Sequence, residues 1–558
     1  MTSSSQDFGN RWTPINDDGN DDVHSERSLS DPLLQSKIVQ DSASGLEDRV
    51  NSKSILTTTN GVTMSYDDIL QAIGYGKFHY ILLLVCGLAV AADAVEIQAI
   101  SFVLPSACDL KLNDIEKGWL TAIIFIGMMV GGYVWGGLAD VQGRRNILRY
   151  ALFVNGLFGL ISAFSPNFGF FAFCRFMSGL GVGGSMPVVF SYFTEFQPRS
   201  HRGSMITILA CFWMLGTIIA AGLAWLIIPH DIGGPLGSIF FGSWRIFLCI
   251  ATFPCFTVAL ALLFLPESPR FYLEVGERRK AIKSLQTVER FNRGALRSTL
   301  HLQDPSTPET ENTNNNNAVT NTENKMTVLF RDGKASAAKV LQASKELFYQ
   351  PYLRRTLILF NIWFTFSFGY YGLSLWFPEL FKKFADGSTC SNRMVTNHTV
   401  KPPCELNANN TEIYFESFLT SISTLPGNLI TVLLIDRIGR KIILACSMGS
   451  SGVAVFFIWL VNRKQDTVIL SCIFSGLSIG GWNALDVLGP ELYPTHLRST
   501  AFGLQSVLGR IASVLGNLLF AQLIDVDCAI PILLVSACLG WGAISAIWLP
   551  NTTKMAIN

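Results

Sequence analysis

Long apolar stretches, each close to the roughly 20 residues that a bilayer core demands of a helix, alternate with short polar ones over most of this chain. Twelve are legible, at 79–105, 117–138, 147–164, 168–190, 204–228, 245–265, 355–378, 413–435, 442–461, 467–488, 500–524 and 529–549. Pro426-Gly427-Asn428 interrupts the eighth. Membrane helices tolerate such a break where neighbours satisfy the freed backbone groups.

Two polar signatures recur where apolar stretches end. Asp140-Val141-Gln142-Gly143-Arg144-Arg145 returns as Asp436-Arg437-Ile438-Gly439-Arg440-Lys441, and Glu195-Phe196-Gln197-Pro198 with Arg202 returns as Glu491-Leu492-Tyr493-Pro494 with Arg498. The offsets are equal, 436 − 140 = 296 and 491 − 195 = 296. The pattern predicts an all-α membrane protein of twelve transmembrane helices in two pseudo-symmetric six-helix bundles. The expected divisions are a disordered cytosolic tail (1–76), the first bundle (77–269), a cytosolic linker (270–354), the second bundle (355–550) and a short tail (551–558). The linker holds an Asn/Thr-rich tract, and its basic helical pattern at 276–291 is expected on the membrane surface.

Orientation follows from Lys and Arg in short loops. Arg144, Arg145, Arg149, Arg199, Arg202, Arg437, Arg440, Lys441 and Arg498 all fall on one side, which makes that side cytosolic together with both termini. The 379–411 loop then faces the lumen or exterior. It carries the glycosylation sequons at Asn397 and Asn409, whereas Asn551-Thr552-Thr553 lies on the cytosolic side. Cys390 and Cys404 could pair in that oxidising compartment, or remain two free thiols.

Composition agrees with the pattern. Of 558 residues, 49% are hydrophobic and 15% charged, against about 25% charged in ordinary soluble domains; mean hydropathy is +0.35. A net charge of +1 gives no case for nucleic acid. Most of the twelve cysteines sit in apolar runs, as packing residues do. No cleavable signal peptide is visible, so the first apolar helix must target the chain to the membrane. Leu33-Leu34 after Asp31-Pro32 is a candidate sorting signal. No catalytic motif, metal-ligand set, cofactor motif or ATP-binding loop is present, which argues against an enzyme or a pump.

The repeated signatures have a mechanical logic. Gly143 and Gly439 permit the tight turn between antiparallel helices. Asp140 and Asp436 end a helix where an Arg can reach them. Glu195 and Glu491 can pair with the first signature's Arg144, Arg145, Arg440 and Lys441. Such pairs can lock one conformation and release in another. The plainer reading is a topogenic charge cluster, which the fixed offset disfavours.

Ionisable residues inside the apolar stretches are costly and need partners or water. Asp93 and Glu96 lie three apart on one face of the first span. Two carboxylates facing one cavity do not both ionise easily, so the pair reads as an ion- or proton-coupling site; the competing reading is a buried carboxylate paired to a structural Arg. Asp486 follows Trp482 by four residues and shares its face. An aromatic face beside a carboxylate suits a polar ring-shaped or cationic solute. Arg510 could neutralise Asp486, join Asp93 or Glu96, or meet an anionic solute. Arg149 and Arg175 lie near span ends, as anchors of the cytosolic face would.

The paired signatures, with Pro266-Glu267-Ser268-Pro269-Arg270 after the sixth span, resemble the major facilitator superfamily, sugar-porter branch. Pro550-Asn551-Thr552 is a degenerate copy of the usual ending. Within it, Gly127-Met128-Met129-Val130-Gly131, Trp135-Gly136-Gly137-Leu138-Ala139-Asp140, Phe190-Ser191-Tyr192-Phe193, Tyr370-Tyr371-Gly372-Leu373 and Trp482-Asn483-Ala484-Leu485-Asp486-Val487-Leu488 are most similar to the synaptic vesicle glycoprotein 2 family. The likeness spans about residues 70–550, without that family's large lumenal domain, so roles resting on that domain are not implied. It implies a central ligand pocket lined by Trp213, Trp482 and Asp486, with Tyr370 and Tyr371 nearby; the alternative is that these aromatics only pack. It also implies a vesicle-membrane secondary transporter for a small polar organic solute, hexose-like or an organic ion. Its rival is a transport-inactive vesicle glycoprotein regulating secretion, with exocytosis machinery as partner through the N-terminal tail. A plasma-membrane carrier is the alternative location. The solute and the lipid bilayer are the other expected partners.

Overall fold

The computed structural model describes residues 55–58, 63–230, 232–236, 239–293, 302–303, 341–385, 409–461, 463–524 and 526–550. Among these, eleven helices are long and apolar enough to cross a membrane. In the first half they are α2 (Lys77–Val103), α3 (Asp114–Gln142), α5 (Phe168–Thr194), α6 (Arg199–Ile227) and α7 (Ser243–Ala261) with its short 3-10 extension. Between α3 and α5 runs α4 (Arg144–Ser162), packed on α5 and α7; Arg144, Arg145 and Arg149 lower its apolarity without removing it from the bundle. The second half contains α10 (Leu353–Ser374), α12 (Asn409–Ile422), α13 (Thr424–Ile438), α14 (Arg440–Leu460), α15 (Lys464–Glu491), α16 (Thr495–Leu523) and α17 (Ala529–Ile547). The eighth span is divided between α12 and α13 at Ser423, three residues before the Pro-Gly-Asn interruption.

Local chemistry sets the boundaries. Asn113 Oδ1 accepts from Glu116 N at 2.8 Å and Glu116 Oε2 accepts from Asn113 N at 2.9 Å, a reciprocal cap opening α3. Gly143 and Gly439 adopt φ of +97° and +101°, a region side-chain-bearing residues avoid, and each ends one helix and starts the next. A further repeat is visible in packing. A side chain on Gly131 would strike the Leu180 carbonyl, and one on Gly427 would strike the Gly476 carbonyl. Both residues of that contact recur 296 positions on (427 − 131 and 476 − 180). Close backbone approach of this kind is how membrane helices associate.

The expected disordered tail does not extend through residue 76. Tyr66–Ile73 form α1, an amphipathic helix whose Tyr66, Ile69, Leu70 and Ile73 are buried on the first bundle. Tyr66 donates to the Glu195 carbonyl at 2.6 Å. The linker likewise opens with structure: α8 (Pro269–Val275) and α9 (Arg278–Arg293). The apolar face of α9 (Ala281, Leu285, Val288) joins the bundle's core instead of lying on lipid. Its end clasps the α1–α2 junction: Asn292 Nδ2 donates to Gly74 O at 3.0 Å and Arg293 to Ala72 O at 2.6 Å.

The halves meet chiefly along α3 and α16. The end bearing the repeated signatures is called here the motif end, the opposite one the far end. At the far end Gly118 packs on Ala521. Lys117 Nζ meets Glu379 Oε1 at 2.7 Å; Glu379 belongs to α11 (Phe377–Ala385). Nearby, Lys382 donates to Pro105 O at 2.8 Å. Trp225 stacks on Phe418, with centroids 5.5 Å apart. Towards the motif end Gly136, Gly137, Gly203 and Gly503 look into open space. The cleft between the halves therefore widens towards the motif end.

Candidate functional site

Midway along the cleft, α10 and α15 bring together an aromatic cage. Trp482 lies 4.7 Å from Phe366, 5.6 Å from Tyr370, 5.7 Å from Trp363 and 5.8 Å from Tyr371, centroid to centroid. Its indole N–H is buried without a hydrogen-bond partner among the described residues, as is that of Trp363. Each is a donor available to water or a solute. Asp486, one helical turn beyond Trp482 and five residues before the motif-end terminus of α15, is exposed within a membrane-embedded helix. Arg510 of α16 stands within electrostatic reach of its charge and of the Tyr371 hydroxyl. The same guanidinium stands 5.9 Å from the Phe125 ring of the opposite half, which packs on Tyr371 at 5.0 Å. Trp213 on α6 lies between the cores of the two halves. Asn428 and Asn483 were not anticipated. Asn483 donates to Asn428 Oδ1 at 2.6 Å, and Asn428 to Cys211 Sγ at 3.2 Å, carrying a polar chain across the cleft.

Asp93 and Glu96 are placed differently from expectation. Both are fully buried and do not line the open cleft. Arg175 Nη1 meets Glu96 Oε1 at 2.6 Å, with both side chains sealed from solvent. Ser178 Oγ stands 2.6 Å from Glu96 Oε1 and 2.9 Å from Asn155 Oδ1, its one hydrogen serving the two acceptors. Asn155 Nδ2 donates to Asp93 Oδ1 at 3.0 Å, and Ser185 Oγ to Asp93 Oδ2. The cluster closes because α5 offers Arg175, Ser178 and Ser185 one or two turns apart on one face. Arg175 is thus no anchor of the motif end. Arg510, grouped with the two carboxylates on sequence, contacts neither among the described residues. No cation pairs with Asp93 among them either.

At the motif end the signatures do pair, but within each half. Arg144 Nε meets Glu195 Oε1 at 2.6 Å, and 296 positions on Arg440 Nε meets Glu491 Oε1 at 3.4 Å. Arg202 donates to Gln197 O at 3.2 Å and Arg498 to Tyr493 O at 3.5 Å, again the same contact twice. Asp140 is largely exposed and reaches Arg144 only at 3.6 Å. Asp67 of α1 takes Arg199 at 2.8 Å and Arg202 at 3.0 Å. Arg145 donates to Leu265 O at 2.7 Å, and its amide to Glu267 Oε1 at 2.8 Å. Lys441 has no polar partner among the described residues. Burial pushes the Glu195 carboxyl up to about 7 against the opposing pull of Arg144. The side chain of Asp436 lies outside the described residues, as do Cys390, Cys404 and Asn397; Asn409 opens α12. Cys108 and Cys528, both at far-end loops, are disulfide-bonded. They are the described cysteines outside apolar runs, a distinction visible in the sequence.

Comparison with known proteins follows the same lines. A family model described as "Sugar (and other) transporter" matches residues 83–384 and 407–550. Human synaptic vesicle glycoprotein 2C is 34% identical over 598 aligned positions, covering 89% of this chain and 82% of the relative. Human synaptic vesicle glycoprotein 2B is 34% identical, covering 88% and 86%. Since 89% of 558 residues is about 497, about 100 of the 598 aligned positions of 2C have no counterpart here. Among solved structures, a partially occluded inward open conformation of the xylose transporter XylE from E. coli superposes with a TM-score of 0.62 at 14% identity, covering 86% of this chain and 99% of that one. A D-xylose-proton symporter gives 0.58 at 15% identity, covering 86% and 99%. The chain is a multi-pass membrane protein with the major facilitator fold.

Proposed function

Because this chain belongs to the sugar (and other) transporter family, we propose that it is a secondary carrier that moves a small polar organic solute by alternating access. The exposed Asp486 carboxylate beside Arg510, under the Trp482–Tyr370–Tyr371 cage, carries this reading. A carboxylate and a guanidinium held within membrane-spanning helices are expensive, and here they stand where the two halves face one another, beside Phe125 of the first half. The unpaired Trp482 indole N–H adds a directional donor. A solute with a ring to stack and hydroxyl or cationic groups to hydrogen-bond suits this set. Coupling is assigned to Asp93, held by neutral donors and free to exchange a proton without leaving a buried cation unpaired. Glu96 is tied to Arg175. The Arg144–Glu195 and Arg440–Glu491 pairs hold the motif-end turns as the halves rock.

The likeness to synaptic vesicle glycoproteins supports a vesicle membrane as the location, with the signature loops and tails on the cytosolic side. It equally favours a second reading, a regulator of secretion that keeps the carrier fold and engages exocytosis machinery through its N-terminal tail. Uptake of labelled hexoses and organic cations into liposomes by the purified chain separates the two. The carrier reading expects uptake that falls at least tenfold in Asp486→Asn and loses its dependence on a proton gradient in Asp93→Asn. Wild-type protein that moves none of these solutes under any gradient favours the regulator.

A further inference from the structure

The two halves repeat one another, yet one place is filled in the first and empty in the second. In the first half Trp135 of α3 lies across α5: its Nε1 donates to the Leu180 carbonyl at 3.1 Å, and a side chain on Gly184 would collide with its ring. The corresponding residues 296 positions on are Thr431, Gly476 and Gly480, and Phe176 is matched by Cys472. The side chains that fill the first half's slot are thus replaced by a hydroxyl, a thiol and no side chain. What remains is a groove of about 550 Å³ between α13, α14 and α15.

Its walls are apolar in effect as well as in composition. Ser423 donates to Thr420 O, Thr431 to Gly427 O and Ser450 to Cys446 O on their own helices, and Ser447 to Leu477 O on the neighbouring one, so each hydroxyl is already taken up by a backbone carbonyl. Ile430, Ile442 and Ile473 on its flank are exposed, as expected of side chains that meet lipid. The groove reaches the motif end at Ile438 and Ile442. Their sequence neighbours there are Arg437 and Lys441, the first exposed and the second half-buried. Neither has an ion-pair or hydrogen-bond partner among the described residues. Every other arginine of the two repeated turns has a polar contact: Arg144, Arg145 and Arg440.

We propose that this groove is a binding site for one anionic membrane phospholipid, with an acyl chain in the slot left by the missing tryptophan and the headgroup phosphate on Arg437 and Lys441. The cations fall at the membrane surface where anionic headgroups are attracted to basic residues. The acyl chain gains contacts that an empty slot would forfeit.

Native mass spectrometry of the purified full chain, with phosphatidylglycerol and phosphatidylcholine in equal amounts, tests the site. Wild type should retain one phosphatidylglycerol in preference to phosphatidylcholine. Thr431→Trp, which restores the side chain of the first half, should lose that lipid while unfolding at an unchanged temperature. Arg437→Gln and Lys441→Gln should each weaken the preference about fivefold. If Thr431→Trp does not fold, Cys472→Phe serves, since Phe176 already occupies the matching position. Retention of the lipid by a folded groove-filling variant overturns the proposal. So does equal retention of phosphatidylcholine by wild type, which would make the groove an unselective lipid contact.

Discussion

Consider the replacement of Glu96 by Gln. The Glu96–Arg175 pair is 2.6 Å long and sealed from solvent on both sides. Removing one partner of a buried pair typically costs about 3–5 kcal/mol, because the other charge is left uncompensated. The two single changes should not be equal. In Arg175→Gln, Glu96 can take up a proton and still use Ser178, so the loss sits near about 3 kcal/mol. In Glu96→Gln the guanidinium cannot deprotonate. Among the described residues it keeps its bond to Ser162 Oγ at 2.8 Å and the Phe171 ring at 5.5 Å, with a neutral amide oxygen in place of its counter-ion, so the loss sits near about 5 kcal/mol. The double variant leaves two amides of similar volume and should regain most of the stability, a coupling of about 3 kcal/mol or more. Thermal unfolding in mild detergent, followed by intrinsic tryptophan fluorescence, gives the order Glu96→Gln below Arg175→Gln below the double variant. The reasoning fails if both single variants unfold within about 1 kcal/mol of wild type, or if the double variant shows the plain sum of two losses.

Other consequences are equally open to measurement. Burial lifts the Glu195 carboxyl to about 7 from its ordinary 4.5. Between those values the folded chain binds the extra proton, so this group's contribution to stability falls as pH rises through the window, by up to about 3 kcal/mol. Glu195→Gln should flatten the slope of unfolding temperature between pH 5 and 8; an unchanged slope contradicts the placement. Cys108 is disulfide-bonded, while Cys86, Cys174, Cys211, Cys249 and Cys255 of its own half are free. Cleavage at a protease site placed within 304–340 should leave the two halves joined on a non-reducing gel, and Cys108→Ser should release them. Halves that part without reductant in wild type would refute the cross-link.

The large architecture could be read from the chain because it rests on properties that a single residue type carries. Apolar length announced the spans, and equal offsets announced the duplication. The break in the eighth span was visible in Pro426-Gly427. The charge pairs at the motif end could be anticipated because both partners lie in the repeated signatures. What escaped depends on which face meets which. Arg175 looked like an end anchor because distance along the chain suggested it; only the register of α5 against α2 shows it under Glu96. Arg510 had three candidate partners, and the rotation of α16 selected Asp486 and Tyr371. The burial of Asp93 and Glu96 also depends on rotation, since Asn155 and the serines of α5 close over them. Tyr66–Ile73 was hidden in a polar tail: eight residues carry too little periodicity to stand out, although four apolar side chains suffice to dock them.

The most direct test of the carrier is the accessibility of position 486 from both sides of the membrane. A membrane-impermeant thiol reagent applied to Asp486→Cys in oriented vesicles, with wild type as background, should label from the motif side at once. It should label from the far side more slowly, at a rate set by the rocking of the halves. A residue 486 that reacts from the motif side but never from the far side, whatever solute or gradient is present, would mean that no passage opens, and the chain would not be a carrier.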